Sequence, residues 1–90
     1  MSFANDRSQT FRVLHESGCF VMPNPWDVGT ARVLAQIGFP AIATTSSGLA
    51  WSLGRRDNGV SVEETLRHLR TIAQSVDVPV NADFENGFAI

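Results

Sequence analysis

Apolar residues cluster in three short continuous runs, which are separated by longer segments where apolar residues recur at helical spacing. The runs cover residues 19–24, 41–47 and 78–82. Each run is rich in β-favouring side chains and is bounded by proline or small polar residues, which predicts a buried strand. Because polar and apolar positions do not alternate within the runs, we expect both faces of each strand to be covered, as in parallel sheets.

Two helices are predicted around the first run. The sequence of residues 6–17 favours a peripheral helix, and Gly18 follows it as a C-cap. Residues 26–40 predict a second helix, with Asp27 as its N-cap. Its apolar face comprises Val28, Ala31, Leu34 and Ala35.

A third helix is predicted over residues 61–76, where Ser61 and Glu64 form the pattern of a capping box. Its apolar stripe comprises Val62, Leu66, Leu69, Ile72 or Ala73, and Val76. Between the second apolar run and this helix, three glycines and the sequence GRRDNG indicate a loop.

Strands that alternate with helices of this length favour βαβ units with parallel strands and right-handed crossovers. The predicted fold class is therefore α/β, with residues 1–90 in one domain. In parallel α/β folds, ligands bind at the carboxyl ends of the strands. We therefore expect the functional residues directly after the apolar runs.

The composition fits a small globular protein of 90 residues, since 43% of the residues are hydrophobic and 18% are charged. A net charge of −2 provides no basic surface for a nucleic acid. The single cysteine, Cys19, precludes an internal disulfide and suits a reducing compartment. Because no apolar stretch has the length of a membrane span or a signal sequence, we expect a cytoplasmic protein without a membrane partner.

Two carboxylates follow the third apolar run, in the sequence NADFENG. In an extended chain, Asp83 and Glu85 point to the same side, with backbone positions about 6.5 to 7 Å apart. Such a pair suits a hard divalent cation, because Mg²⁺ takes one or two carboxylates and keeps waters and substrate oxygens as its other ligands. The alternative is that Asp83 caps a turn and Glu85 is solvated.

The second apolar run ends in TTSSG, whose hydroxyls and backbone N–H groups suit a carboxylate or a phosphonate. A polar turn without a ligand is the alternative. Trp26 and Trp51 border these loops, and we expect them to pack against their surroundings, with the wall of a pocket as the alternative role.

The remaining charged residues and the histidines do not indicate a particular function. Arg55, Arg56 and Asp57 are typical of a solvated charge cluster. His15 and His68 are expected at exposed positions of their helices.

The stretch NPWDVGTARVLAQIGFPAIATTSSGLAWSLGRRD, followed after one helix by PVNADFENGF, resembles the amino-terminal part of the isocitrate lyase and phosphoenolpyruvate mutase superfamily. The similarity runs from about Gly18 to the last residue. The resemblance implies a (β/α)8 TIM barrel, of which residues 1–90 would form the amino-terminal fragment with the first three strands. It also implies Mg²⁺ as cofactor, with Mn²⁺ as the alternative, and cleavage or formation of C–C or P–C bonds in small 2-oxo or 2-hydroxy carboxylates through an enolate-like species.

The resemblance further implies roles for individual residues. Asp83 falls on the principal metal-site aspartate of the family, and Glu85 falls on the next acid, which usually reaches the metal through water. Asp57 matches a catalytic-site acid in the mobile loop that closes over the site. The residues that would bind the substrate carboxylate are Thr45, Ser46, Ser47 and Gly48.

Two features depart from the family pattern. Without a gap, residues 45–47 take the places of the family's Ser-Gly-Gly, whereas residues 47–49 match only after a shift of two positions. The family's lyase loop of the Lys-Lys-Cys-Gly-His type does not occur in this sequence.

We therefore expect an enzyme of the lyase or mutase family. The ninety residues are not expected to be active alone. The alternative is a truncated, non-catalytic α/β module that binds a metal or a small acid, or assembles with other chains. The resemblance also implies that full-length family members are homo-oligomers.

Overall fold

The computed structural model describes residues 3–89, which form four helices and one small parallel sheet. The helices are α1 (Phe3–Leu14), α2 (Val28–Ile37), α3 (Ser46–Ser52) and α4 (Val62–Ser75). The strands are β1 (Ile42–Ala43) and β2 (Val80–Asn81), and they pair in parallel with Ile42 opposite Val80. The predicted α/β class and parallel pairing are confirmed, but each strand is shorter than the apolar run that predicted it.

The first apolar run is not a strand in the structure, so this prediction is wrong. Residues 19–24 have no regular secondary structure, and Val21 is 65% exposed. One backbone hydrogen bond joins the run to the sheet, from the Ala43 N–H to the Pro23 carbonyl at 2.9 Å. In a parallel ladder, the N–H two residues later would return the next bond, but that residue is Pro25 and has no N–H.

Helix α2 has the predicted ends and the predicted apolar face. The Asp27 side chain accepts a hydrogen bond from the Thr30 N–H at 2.8 Å and so caps the first turn. The chain leaves the helix at Gly38, whose φ of 114° is accessible to glycine at little cost. Ala31 is fully buried at the centre of the inward face.

Helix α4 begins with the predicted capping box, in which both reciprocal bonds of Ser61 and Glu64 are present. The predicted apolar stripe is correct at Ile72 and Val76 but wrong at Leu66, which is 52% exposed. Thr65 is buried in its place, because residues 65, 72 and 76 share one face of a helix and residue 66 lies about 100° away from it.

Helix α3 occupies part of the segment that the sequence predicted as the end of a strand and a loop. Strand β1 ends at Ala43, and Thr45 becomes the N-cap of α3 because its hydroxyl accepts a hydrogen bond from the Gly48 N–H at 3.2 Å. Threonine side chains that bond nearby N–H groups favour the start of a helix. The predicted strand over residues 41–47 is therefore corrected to two residues.

Helix α1 lies against the end of α4, since the Arg7 guanidinium donates to the Ala73 carbonyl at 2.7 Å. The helix starts and ends three residues earlier than predicted. None of the helices within residues 3–89 is both long and apolar enough to cross a membrane.

The core lies between β1 and the helices α2 and α4. Ile42, with no exposed surface, packs in one cluster with Ala31 of α2, Ile72 of α4 and Val76, the C-cap of α4. Both faces of β1 are buried as predicted, whereas Asn81 of β2 is exposed. The apolar contacts of β1 therefore fix the position of the strand from which the polar loop at residues 44–48 continues.

The substitution Ile72→Ala should lower the free energy of unfolding by about 2 to 5 kcal/mol, because it leaves a cavity in the core. Ile37→Ala is a matched control, since Ile37 is also helical but 68% exposed; its effect should stay within about 0.5 kcal/mol. Urea unfolding followed by circular dichroism measures both. Equal losses in the two variants would contradict the core described here.

Candidate functional site

The register of β1 and β2 continues beyond the strands through side-chain oxygens. The Thr44 N–H donates to the carbonyl of Asn81, 37 positions later, at 2.9 Å. Two residues on, the Ser46 N–H donates across the same separation of 37 positions, to the Asp83 Oδ2 at 2.9 Å. Evenly spaced bonds are the pattern of a parallel ladder, so the Asp83 carboxylate stands where a backbone carbonyl would otherwise accept.

A second bond of this extended ladder runs in the opposite direction, from the β2 side to Thr44. Its hydroxyl oxygen accepts a hydrogen bond from the Asp83 N–H at 2.9 Å, and the threonine is only 4% exposed. From the sequence, Thr44 was only one of the hydroxyls of TTSSG, and the expected substrate-binding residues began at Thr45. The tertiary register was needed to assign it a partner.

Both oxygens of the Asp83 carboxylate accept backbone hydrogen bonds. The Ser46 N–H reaches Oδ2 at 2.9 Å, and the Glu85 N–H reaches Oδ1 at 3.1 Å. These bonds, that of Ser46 first, lower the pKa of Asp83 below its usual range, while partial burial opposes them. The side chain is therefore an anion at neutral pH.

The extended conformation that was predicted for residues 83–85 does not hold at Glu85. Glu85 has a φ of 53° and lies in a turn, and its side chain is exposed. The Asp83 side chain closes this turn, which corresponds to the turn-capping alternative considered from the sequence. Each Asp83 oxygen nevertheless keeps a lone pair beyond its one described N–H donor.

The predicted substrate-binding residues form the start of α3 and lie next to Asp83. Within this segment, the N–H groups of Ser46 and Gly48 already have partners, Asp83 and Thr45. The Thr45 and Ser47 hydroxyls are 3.1 Å apart and form a hydrogen bond. The structure thus brings the ends of the second and third apolar runs together, as expected for a parallel fold.

Gly48 is required by packing, because the indole of Trp26 lies directly over it. A Cβ atom at this position would overlap the Trp26 ring and the Thr45 methyl group. Trp51 contacts Trp26 edge to face, with ring centroids 5.8 Å apart. Trp26 thus packs against Gly48 and Trp51, and it also walls an open cleft of about 440 Å³, which is lined by Pro23, Asn24, Pro25, Trp26, Asp27, Thr30 and Leu34.

Asp57 lies on an exposed loop between α3 and α4. Its Oδ1 accepts a hydrogen bond from the Asn58 N–H at 3.0 Å, and no described hydrogen bond or ion pair links it to Asp83. The loop is tied to α4 by Arg55, which donates to both Glu64 oxygens at 2.8 Å. The hydrogen bond from Arg55, followed by those from Ser61, lowers the pKa of Glu64 to about 2.

His68 differs from its predicted exposure. The residue is half-buried, and its Nε2 is buried without a hydrogen-bond partner among the described residues. Burial lowers the pKa of His68, and the charge of Asp27 partly offsets this effect. His68 is therefore neutral at physiological pH and lies among packed side chains.

Gly48→Ala should lower the free energy of unfolding by about 1 to 3 kcal/mol, because the new methyl group has to displace the Trp26 ring. Gly29→Ala is a matched control in α2, where a Cβ atom meets only Asp27 Oδ1, at 3.7 Å. The control should be neutral or stabilising by about 0.5 to 1 kcal/mol, since alanine favours a helix. Thermal unfolding of both variants tests this, and a Gly48→Ala protein as stable as Gly29→Ala would contradict the packing.

Known proteins are similar to this chain in both sequence and structure. A family model for phosphoenolpyruvate phosphomutase matches residues 11–90. The 2,3-dimethylmalate lyase of Eubacterium barkeri is 31% identical over 86 residues, which are 93% of this chain and 30% of that protein. The chain spans about a third of the length of the curated relatives that it matches.

Two solved structures from Burkholderia cenocepacia superimpose on almost the whole chain. One, assigned as a lyase/mutase, is 45% identical with a TM-score of 0.95 and covers 98% of this chain and 32% of its own. The other, assigned as a phosphonomutase, is 33% identical with a TM-score of 0.86 and covers 96% of this chain and 36% of its own. The chain therefore belongs to the phosphoenolpyruvate phosphomutase family, within the PEP mutase/isocitrate lyase superfamily.

Proposed function

We propose that these residues are the amino-terminal part of a (β/α)8 barrel enzyme that acts on small 2-oxo or 2-hydroxy carboxylates with a bound divalent cation. The reaction class is cleavage or formation of a C–C or P–C bond through an enolate-like species. The observation that carries the proposal is the anionic Asp83 carboxylate, held after β2 by the Ser46 N–H from the loop after β1. This edge of a parallel α/β sheet is where ligands bind.

The donor set fits Mg²⁺, with Mn²⁺ as the alternative. Asp83 is ionised and partly exposed, and Glu85 adds a second carboxylate two residues later. No group of three or more His, Cys, Asp or Glu side chains gathers within the part of the chain that the structure describes. Mg²⁺ suits such a sparse set, since it takes one or two carboxylates and keeps waters and substrate oxygens.

The residues of the chain would bind and orient the reactants. Asp83 would hold the cation directly and Glu85 would hold one of its waters. The substrate carboxylate would bind at the Ser46 and Ser47 hydroxyls, while Thr45 and Gly48, which bond to each other, shape the turn. When bound, the cation would stabilise negative charge that develops on a substrate oxygen.

Asp57 would take part only after its loop moves towards the strand ends. Its side chain is exposed, and the loop is held at its base by the ion pair of Arg55 with Glu64. An exposed ion pair of this kind contributes little stability, so it does not prevent such a movement.

Asp83→Asn should weaken Mn²⁺ binding by more than about tenfold, because even residues that only orient a metal ligand contribute about 10- to 100-fold. Glu85→Gln should have a smaller effect, since it would lose a bond to a metal water. Asp77→Asn is the control of equal charge, because Asp77 is exposed and precedes β2, at the opposite end of the strand. Titration calorimetry with Mn²⁺ tests the proposal, and equal affinities of wild type and Asp83→Asn would refute it.

The ninety residues alone should show no turnover of small 2-oxo or 2-hydroxy acids with Mg²⁺. The sequence has no tyrosine and no lysine, and no described hydrogen bond joins a histidine or Cys19 to Asp83. The described site therefore offers carboxylates and hydroxyls but no histidine, lysine, tyrosine or cysteine in a described hydrogen bond with Asp83 to act as acid or base. Product formation followed by proton NMR is the measurement, and turnover that needs Mg²⁺ and disappears in Asp83→Asn would contradict this expectation.

A further inference from the structure

Thr44 makes two hydrogen bonds to the end of β2, one through its backbone and one through its side chain. Its N–H donates to the Asn81 carbonyl, and its hydroxyl accepts from the Asp83 N–H, both at 2.9 Å. Thr44 thus holds the chain on both sides of residue 82. Its 4% exposure keeps water from competing for these bonds.

The bond to Asp83 closes a ring between the two strand ends. Ser46, two residues after Thr44, donates its N–H to the carboxylate of the same Asp83. The Asp83 backbone is therefore fixed by one residue of the loop and its side chain by another. Two such attachments restrict both the backbone and the side-chain torsions of Asp83, so the direction of the carboxylate depends on each of them.

An apolar side chain cannot replace the Thr44 hydroxyl oxygen, which acts as a hydrogen-bond acceptor here. Within residues 3–89, the Thr44 oxygen is the described partner of the Asp83 N–H. Valine has the shape of threonine but no acceptor, so it would leave a partly buried N–H unpaired. Serine keeps the hydroxyl and loses only a methyl group.

We propose that Thr44 is a positioning residue, whose hydroxyl fixes the Asp83 backbone and thereby aims the carboxylate at the cation. The hydrogen bond that positions Asp83 involves only residues of this chain. Its consequence for the cation rests on the proposed function. An experiment can therefore separate the two parts.

Amide hydrogen exchange measured by NMR tests the geometric part. In Thr44→Val, the Asp83 and Ser46 amides should exchange on the order of tenfold faster after correction for global stability, since one hydrogen bond contributes about 1 kcal/mol. Thr44→Ser should keep the exchange rates of the wild type. The control is Thr65→Val, because Thr65 is also 4% exposed but donates its hydroxyl to the carbonyl of Ser61, the N-cap of α4. It should lower global stability without changing the local exchange of these two amides.

Mn²⁺ affinity, measured on the same four proteins, tests the consequence. Thr44→Val should bind about 10- to 100-fold more weakly, as expected for a residue that orients a metal ligand, whereas Thr44→Ser and Thr65→Val should bind like the wild type. A structural role alone would not produce this split between the two buried threonines.

Unchanged Asp83 exchange in Thr44→Val would overturn the inference. If Thr44→Val does not fold, the wild type decides, because an Asp83 amide that exchanges as fast as the amide of Arg56, on the exposed loop, also overturns it. The wild type could bind no Mn²⁺ while Thr44→Val still speeds the exchange of the Asp83 and Ser46 amides. In that case the proposed cation function fails and the positioning of Asp83 stands.

Discussion

The register between β1 and β2 determines both the packing of the core and the composition of the candidate site. Ile42 lies opposite Val80, and the same register places Ser46 at the Asp83 carboxylate. A slip of one residue would turn every side chain of a strand to the other face. It would remove Ile42 from its contacts with α2 and α4 and would take Asp83 away from Ser46. Apolar burial of β1 therefore stabilises the arrangement on which the site depends.

Local signals in the sequence were sufficient to predict the helices α2 and α4. The cap at Asp27 and the capping box at Ser61 act within one turn, so they operate whatever the rest of the chain does. The strands were predicted less well, because pairing needs a partner. The run at residues 19–24 has the apolar residues of a strand, but Pro25 lacks the N–H that would continue the ladder. Hydroxyl-rich segments are also ambiguous, since Thr45 suits a loop as well as a helix cap.

The meeting of the two loops after β1 and β2 was predictable, because parallel strands bring their carboxyl ends to one edge. The particular contacts were not. Thr44 acquires its role only from the register, and the left-handed turn at Glu85 follows from a hydrogen bond to Asp83 that spacing cannot reveal. Similarly, the choice between Thr65 and Leu66 as the buried residue depends on how α4 is rotated against its neighbours. Such features are set by tertiary structure.

The edge-to-face pair of Trp26 and Trp51 gives the protein an optical property of its own. These two residues are the only tryptophans of the chain, and it has no tyrosine. Nearly all of its near-ultraviolet absorption and intrinsic fluorescence therefore come from one place, beside Gly48 and the strand ends. Both rings are about half exposed, at 44% and 54%, so their emission is sensitive to water and to any molecule that covers them. The unlabelled protein thus carries a spectroscopic reporter of events at this edge of the sheet.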